Sequence, residues 1–206
     1  MKWLAANWDQ VLVALGEHLV IVGSALSIAF AISMPIGIWA ARSERVFRVS
    51  LAIGGFLYTI PTLAFLALLI PVVGLGKTNA ILWMVAFSLM IMIRNVATGL
   101  REVSPDVIDA ARGMGMGAGQ VLRRIEIPLA LPVIVAGVRI ATVTIISVAV
   151  VAAYINAGGL GTIIFSGISN DHAPKIWTGA IAACLLAVVA DLGLARLEGW
   201  LRRRAA

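Results

Sequence analysis

The chain has 206 residues, of which 61% are hydrophobic and 13% charged, and its mean hydropathy is +1.02. An ordinary soluble domain carries roughly a quarter charged residues, and a soluble fold of this length cannot hide so much apolar surface in one core. This composition excludes a soluble domain and a disordered segment and indicates an integral membrane protein. The net charge of +6 does not indicate nucleic-acid binding, because the cations are dispersed over several loops and match no motif.

The first 18 residues are expected to form an external segment on the membrane surface. Trp3 and Trp8 fall on the apolar stripe of a short helix, and tryptophan favours the membrane–water interface. The first long apolar run starts at residue 19 and is long enough to span a bilayer, so it is expected to remain as an uncleaved anchor. Residues 19–206 are then expected to form one transmembrane domain.

Apolar runs between the charged residues predict five membrane-spanning helices, because about twenty apolar residues cross a bilayer as a helix. Pro61 is expected to kink the second helix by removing a backbone hydrogen bond. A glycine-rich turn at 158–161 is expected to end the fourth. The expected fold class is therefore an all-α membrane protein, with spans near residues 19–41, 51–73, 79–98, 132–155 and 176–197.

The basic residues predict the orientation of these helices. With five spans, 12 arginines fall on one side of the membrane and three lysines on the other, and Arg139 is left inside a span. Cytoplasmic loops carry the excess of arginine and lysine. We therefore expect the N-terminus outside the cell and the C-terminus in the cytoplasm.

Residues suited to catalysis are scarce, and no catalytic, metal-binding or cofactor-binding residue is assigned. Asp191 is the one acid within a span, and such acids are often functional. We expect it to form a structural ion pair with Arg139 or Arg196, and substrate or proton handling is the weaker alternative. His18 and His172 fall at the outer face, where an ordinary interface or loop position is expected more often than a ligand role.

The loop between the third and fourth spans, residues 99–131, is the most informative segment. Ser104 is a helix cap, and Pro105 and Asp106 suit the first helical turn. The helix is stopped by glycines at positions 113, 115, 117 and 119. A short helix with small residues, hinged by glycine on the cytoplasmic side, is suited to docking into a groove of another protein.

This loop resembles the EAA motif of ABC importer permeases. The family pattern is Glu-Ala-Ala, three residues, Gly, nine residues and Ile-x-Leu-Pro, and here 109–111, Gly115 and 125–128 follow the same spacing. Asp109 replaces the usual Glu and Ile127 the usual Leu, which keeps the charge and the hydrophobicity. The resemblance implies that the residues which couple the chain to an ATPase are Asp109, Ala110, Ala111, Gly115, Ile125 and Pro128.

Other segments are similar to one subfamily, the permeases of osmoprotectant importers, which carry glycine betaine, proline betaine, carnitine or choline. These segments are 59–63, 93–95, 127–134, 136–139 and 157–161. Tyr58 and Asn156 stand where the subfamily commonly has Gln and Gly. Candidates for the gate or pathway are Tyr58, Thr59, Pro61, Thr62, Gly158, Gly159 and Gly161, and a purely structural role of the proline and the glycines is an equal alternative.

The resemblance implies a type I ABC importer permease fold in a bacterial inner membrane, with lipid around it. The chain would pair with itself or with a homologous permease, and an extracytoplasmic binding protein would deliver the solute. A cytoplasmic ABC ATPase would bind ATP and Mg, and this chain would hold no cofactor. Two alternatives remain: a permease of this architecture for another solute such as methionine, and a channel or scaffold without ATP coupling, which leaves the loop helix unexplained.

Overall fold

A computed structural model describes residues 2–205, and the side chains of residues 3–204. These residues fold into α-helices joined by short connections, with one π-helical turn at Leu122–Glu126 and one 3₁₀ turn at Ala153–Ile155. The α-helices are α1 (Lys2–Ala6), α2 (Trp8–Arg42), α3 (Glu44–Thr59), α4 (Thr62–Val73), α5 (Lys77–Arg101), α6 (Pro105–Gly113), α7 (Ala118–Val121), α8 (Ile127–Ala152), α9 (Gly161–Ser169) and α10 (Ala173–Ala205).

Five segments can cross a membrane, as the sequence predicts. Four are single helical stretches, namely α2, α5, α10 and the stretch Ala118–Ile155 that contains α8. The fifth is α3 and α4 together, which are long and apolar enough only as a pair. All four single stretches extend past the predicted spans, so the segment between α5 and α8 shortens to residues 102–126 instead of 99–131.

The second span is broken, where we expected only a kink. α3 ends at Thr59, Ile60 and Pro61 have extended backbone angles, and α4 begins at Thr62 with its axis turned by 99°. Proline has no amide hydrogen to donate and pushes the preceding residue toward extended angles. These local effects break the helix, but they do not set the size of the bend.

Aromatic stacking against α5 holds the two halves of the broken span. Tyr58 near the end of α3 stacks on Phe87, and Phe65 in the first turns of α4 stacks on Trp83, with ring centroids 4.1 Å apart in each pair. Stacked aromatic rings attract each other and bury much apolar surface. Trp83 is fully buried, so the bend is fixed by the packing of both halves on a third helix.

α2 is continuous across residue 18, where we expected the external segment to end. It begins at Trp8 and runs for 35 residues, and the short α1 before it contacts α10. Exposed tryptophans lie at both ends of the bundle, with Trp8 and Trp177 at one end and Trp39 and Trp200 at the other. This arrangement agrees with the preference of tryptophan for the two membrane interfaces.

The core is formed where α2, α5 and α8 meet. Its largest cluster of buried side chains includes Ile21, Trp83, Met84 and Ile145. α2 and α5 run parallel, because Glu17 contacts Lys77 at one end while α5 ends beside Ala40 at the other. α8 runs antiparallel to both and packs against them, so the three helices together connect the two ends of the molecule.

Candidate coupling and gating sites

The predicted loop helix is present and begins where the sequence places it. α6 starts at Pro105, with Ser104 before it and Asp106 in its first turn. Proline suits this position because it has no amide hydrogen to leave unpaired, and an acid interacts favourably with the positive helix end. The Ser104 side chain, which we expected to cap the helix, makes no capping hydrogen bond.

Gly115 ends this helix with a backbone geometry that favours glycine. Its φ is +83°, in the left-handed region that side chains disfavour. Its amide donates to the carbonyl of Arg112 (2.9 Å), and the amide of Met116 donates to the carbonyl of Ala111 (3.2 Å). The two bonds form a Schellman motif, which satisfies carbonyls at the helix end. Gly115 therefore turns the chain from α6 toward α7.

One face of α6 is apolar and exposed. Val107, Ala110 and Met114 are three and four positions apart, which places them on the same side of a helix, and all three are exposed. Asp109 is exposed beside them, whereas Ala111 is only 1% exposed. An apolar stripe on an outer helix fits the helix-in-groove mode of protein recognition.

The second half of the motif leads directly into the fourth span. Ile125 is half-buried in the π-helical turn, and Pro128 is exposed in the first turn of α8. A π-helical turn inserts one extra residue into a helix and is frequent at functional sites. The motif therefore begins on the exposed helix α6 and ends within α8.

Two basic residues bind the ends of the segment 102–126 to α2, and neither was predicted from the sequence. Arg42 pairs with Glu126, whose side chain is 1% exposed. Arg101 donates hydrogen bonds to the carbonyls of Ala40 (2.7 Å) and Ala41 (3.2 Å). A signal was present: an acid flanked by two isoleucines needs a partner if it is buried.

The break in the second span brings four gate candidates together. Thr59 and Pro61 are exposed, and Thr62 is half-buried. The Thr59 hydroxyl donates to the carbonyl of Phe56 (2.7 Å), and the hydroxyl of Tyr58 is buried without a hydrogen-bond partner. At membrane depth, irregular backbone is tolerated only where protein covers it or where it lines a water-filled cavity. The exposed break is therefore unsuited to contact with lipid.

The predicted glycine-rich turn lies at the opposite end of the molecule from α6. Gly158 and Gly159 have φ values of +87° and +82°. The helix before them already ends at Ile155, where Asn156 caps it with a left-handed φ of +61°, so the glycines follow the end of the fourth span instead of causing it. The amide of Gly159 donates to one carboxylate oxygen of Glu17 (3.0 Å), and Lys77 donates to the other (3.2 Å). An acid near the start of α2 thus binds the turn.

His18 and Gly161 complete this contact. His18 is fully buried, so the expected interface position is wrong, and its Nδ1 accepts a hydrogen bond from the amide of Leu160 (3.3 Å). Gly161 is buried against the end of the fourth span, beside Val150 and Ala153. The turn is therefore held between α2 and the end of α8.

The acid inside the fifth span pairs with Arg139. Two nitrogens of the Arg139 guanidinium donate to the two carboxylate oxygens of Asp191 at 2.6 and 2.8 Å, and a third lies 3.4 Å from Glu198. Arg196, the other partner considered, donates instead to the carbonyl of Leu192 (3.4 Å). The two-bond geometry ties α8 to α10.

Known families and proteins resemble this chain over most of its length. The family described as "Binding-protein-dependent transport system inner membrane component" matches residues 33–205. The carnitine transport permease protein OpuCB of Listeria monocytogenes is 38% identical over 192 residues, which cover 93% of this chain and 88% of that protein. The osmoprotectant import permease protein OsmW of Salmonella typhimurium is 38% identical over 187 residues, covering 88% and 87%.

A third relative and two solved structures agree. The glycine betaine/carnitine/choline transport system permease protein OpuCB of Bacillus subtilis is 34% identical over 198 residues, covering 96% of this chain and 91% of that protein. A chain of the MetNI methionine ABC transporter, facing inward, superposes with a TM-score of 0.83 at 22% identity, covering 95% and 97%. A chain of an amino acid ABC transporter superposes with a TM-score of 0.74 at 17% identity, covering 98% and 97%. The fold is that of type I ABC importer permeases, as the sequence resemblance implied.

Proposed function

Because the chain belongs to the family of inner membrane components of binding-protein-dependent transport systems, we propose that it is the permease of an ATP-driven importer of osmoprotectants. The solutes proposed are quaternary ammonium compounds such as glycine betaine, carnitine and choline. Three relatives match nearly the whole chain, and their names mention such solutes or osmoprotectants in general. The methionine transporter is similar at 22% identity, which supports the fold and not the solute.

The main support for coupling to an ATPase is the exposed apolar stripe on α6. Val107, Ala110 and Met114 have no cover within the described chain, and a helix face of this kind needs a complementary groove. A cytoplasmic ABC ATPase would supply that groove, together with the bound ATP and Mg. A channel or scaffold without such a partner would have no use for this stripe.

The exposed break between α3 and α4 supports a position for the pathway. Its backbone cannot face lipid, so this surface would meet water, the solute or a second permease subunit. Thr59, Pro61 and Thr62 would then line the pathway where two permeases pair, and the turn at 158–161 would lie near its outer mouth. Docking of α6 on a cytoplasmic ATPase would place the start of α2 and the turn at 158–161, at the opposite end of the molecule, on the outer side. The N-terminus would then lie outside and the C-terminus in the cytoplasm.

Uptake by the reconstituted importer tests the proposal. The chain would be purified with its ATPase and binding protein, placed in liposomes and supplied with labelled glycine betaine, carnitine, choline or methionine. We expect ATP-dependent uptake of at least one quaternary ammonium solute and none of methionine. Methionine uptake alone would reassign the solute, and uptake that does not depend on ATP would contradict the ATP-driven importer.

A single substitution tests docking on α6. We expect Ala110→Trp to abolish ATP-dependent uptake with the chain still folded, because Ala110 is exposed and its replacement would block a groove without disturbing the core. The matched control is Ala5→Trp, at an exposed alanine of α1 at the other end of the molecule. The hypothesis fails if the purified variant complex contains as much ATPase per permease as the wild type and its uptake is unchanged. That result would exclude α6 as the docking element.

A further inference from the structure

Both ends of the segment 102–126 are bound to the same turn of α2. At the first end, the Arg101 guanidinium donates to the carbonyls of Ala40 and Ala41. At the second end, Glu126 pairs with Arg42. A movement of the segment as a unit therefore acts on the end of α2 as well as on the helices that the segment joins.

Of the two contacts, the one at Glu126 depends more strongly on its partner, because it involves a buried charge. The side chain of Glu126 is 1% exposed. Removing the ionic partner of a buried carboxylate strongly destabilises the folded protein, because an uncompensated charge is left inside. The π-helical turn brings it to this position: the amide of Ile127 donates to the carbonyl of Leu122, five residues back. Arg42 is 52% exposed, so the carboxylate is fixed within the protein while its partner reaches it from the end of α2.

The other end of α2 binds the outer glycine-rich turn. Glu17 accepts from the amide of Gly159, and His18 accepts from the amide of Leu160. Between these contacts and Arg42 the helix is unbroken. The 25 residue steps from Glu17 to Arg42 span about 38 Å at 1.5 Å per residue, enough to cross a hydrocarbon layer about 30 Å thick.

We propose that α2 transmits movement of the docking segment to the outer turn, and that Arg42 and Glu126 are positioning residues for this coupling. The inference rests on the proposed function, because it requires an ATPase that moves the segment. Neither residue is among the gate candidates or on the exposed stripe of α6. They act by holding α2 to the segment through which the ATPase would act.

A charge exchange tests the pair in the reconstituted importer with its ATPase and binding protein. The variants are Arg42→Glu, Glu126→Arg and both together, and the measurement is solute taken up per ATP hydrolysed. We expect each single variant to hydrolyse ATP with a ratio about tenfold lower, within the usual range of coupling between sites. The double variant is expected to regain at least half of the wild-type ratio.

Arg45→Glu is the matched control, because Arg45 is exposed, makes no ion pair within the described part of the chain and lies near the same end of α2. It makes the same charge change and should leave the ratio unchanged. If the single variants fail to assemble, Glu126→Gln keeps the shape and a hydrogen bond, and a lowered ratio is expected for it also.

The outcomes separate this inference from the proposed function. A wild-type complex without ATP-dependent uptake would overturn both. A coupled wild type whose Arg42 and Glu126 variants keep the wild-type ratio would overturn the positioning role alone. A double variant that assembles but shows no recovery would also overturn it, because it would show that the two residues do not act as a pair.

Discussion

Replacing Gly115 with valine is expected to lower ATP-coupled uptake about tenfold or more, with the amount of chain in the membrane unchanged. Open space surrounds Gly115, so a larger side chain meets no obstacle. The effect would come from the backbone, whose φ of +83° costs a residue other than glycine about 1–2 kcal/mol, and a β-branched residue more. About 1.4 kcal/mol corresponds to a factor of ten in an equilibrium between docked and undocked geometries.

Two further substitutions separate backbone geometry from side-chain size. Gly113→Val places the same side chain at another glycine in open space, where φ is not positive, and should change uptake less than twofold. Gly115→Asn should retain most uptake because asparagine tolerates left-handed angles. Equal losses for Gly115→Val and Gly115→Asn would show that the Schellman geometry is not the reason for glycine at this position.

Replacing Gly161 with alanine is expected to prevent accumulation of folded protein. An added Cβ would lie 2.7 Å from the Cβ of Ala153 and closer still to the carbonyl oxygen of Val150. Overpacking costs about 1–3 kcal/mol where neighbours can adjust. The obstacle here is backbone of the fourth span, which cannot adjust without releasing the turn, so the cost should reach or exceed the upper value.

Two quantities are measured: the fraction of the detergent-extracted chain that elutes as one symmetric peak in size-exclusion chromatography, and the unfolding temperature of the protein in that peak. Gly16→Ala is the matched control, because an added Cβ at Gly16 meets no atom within 4 Å; we expect its profile to equal the wild type. If Gly161→Ala also matched the wild type, the close packing of the turn on the end of α8 would not be required for folding.

Features set by neighbouring residues could be predicted from the sequence. The start of α6 at Pro105 follows from a proline and an acid in succession, and Gly115 follows from the preference of helix ends for glycine. The five spans follow from apolar length alone. In each case the physical cause lies within a few residues of its effect.

Features set by distant residues could not be predicted. The 99° bend depends on stacking of Tyr58 and Phe65 against α5, and a single proline predicts only a kink. Arg42 and Glu126 are 84 positions apart, and Gly159 lies 142 positions from its acceptor Glu17. No periodicity in the sequence connects the two members of such a pair. The sequence shows only an acid in apolar surroundings, which indicates that a partner is needed and not which residue it is.

The broken second span also constrains how the protein enters the membrane. α3 has 16 residues and α4 has 12, lengths of about 24 and 18 Å, whereas the hydrocarbon layer is about 30 Å thick. Neither half is long enough to be inserted alone, so the insertion machinery must accept the two as one extended hydrophobic segment. The stacking partners of the bend, Phe87 and Trp83, are synthesised afterwards. The bend can therefore gain its stacking contacts only once α5 has been synthesised.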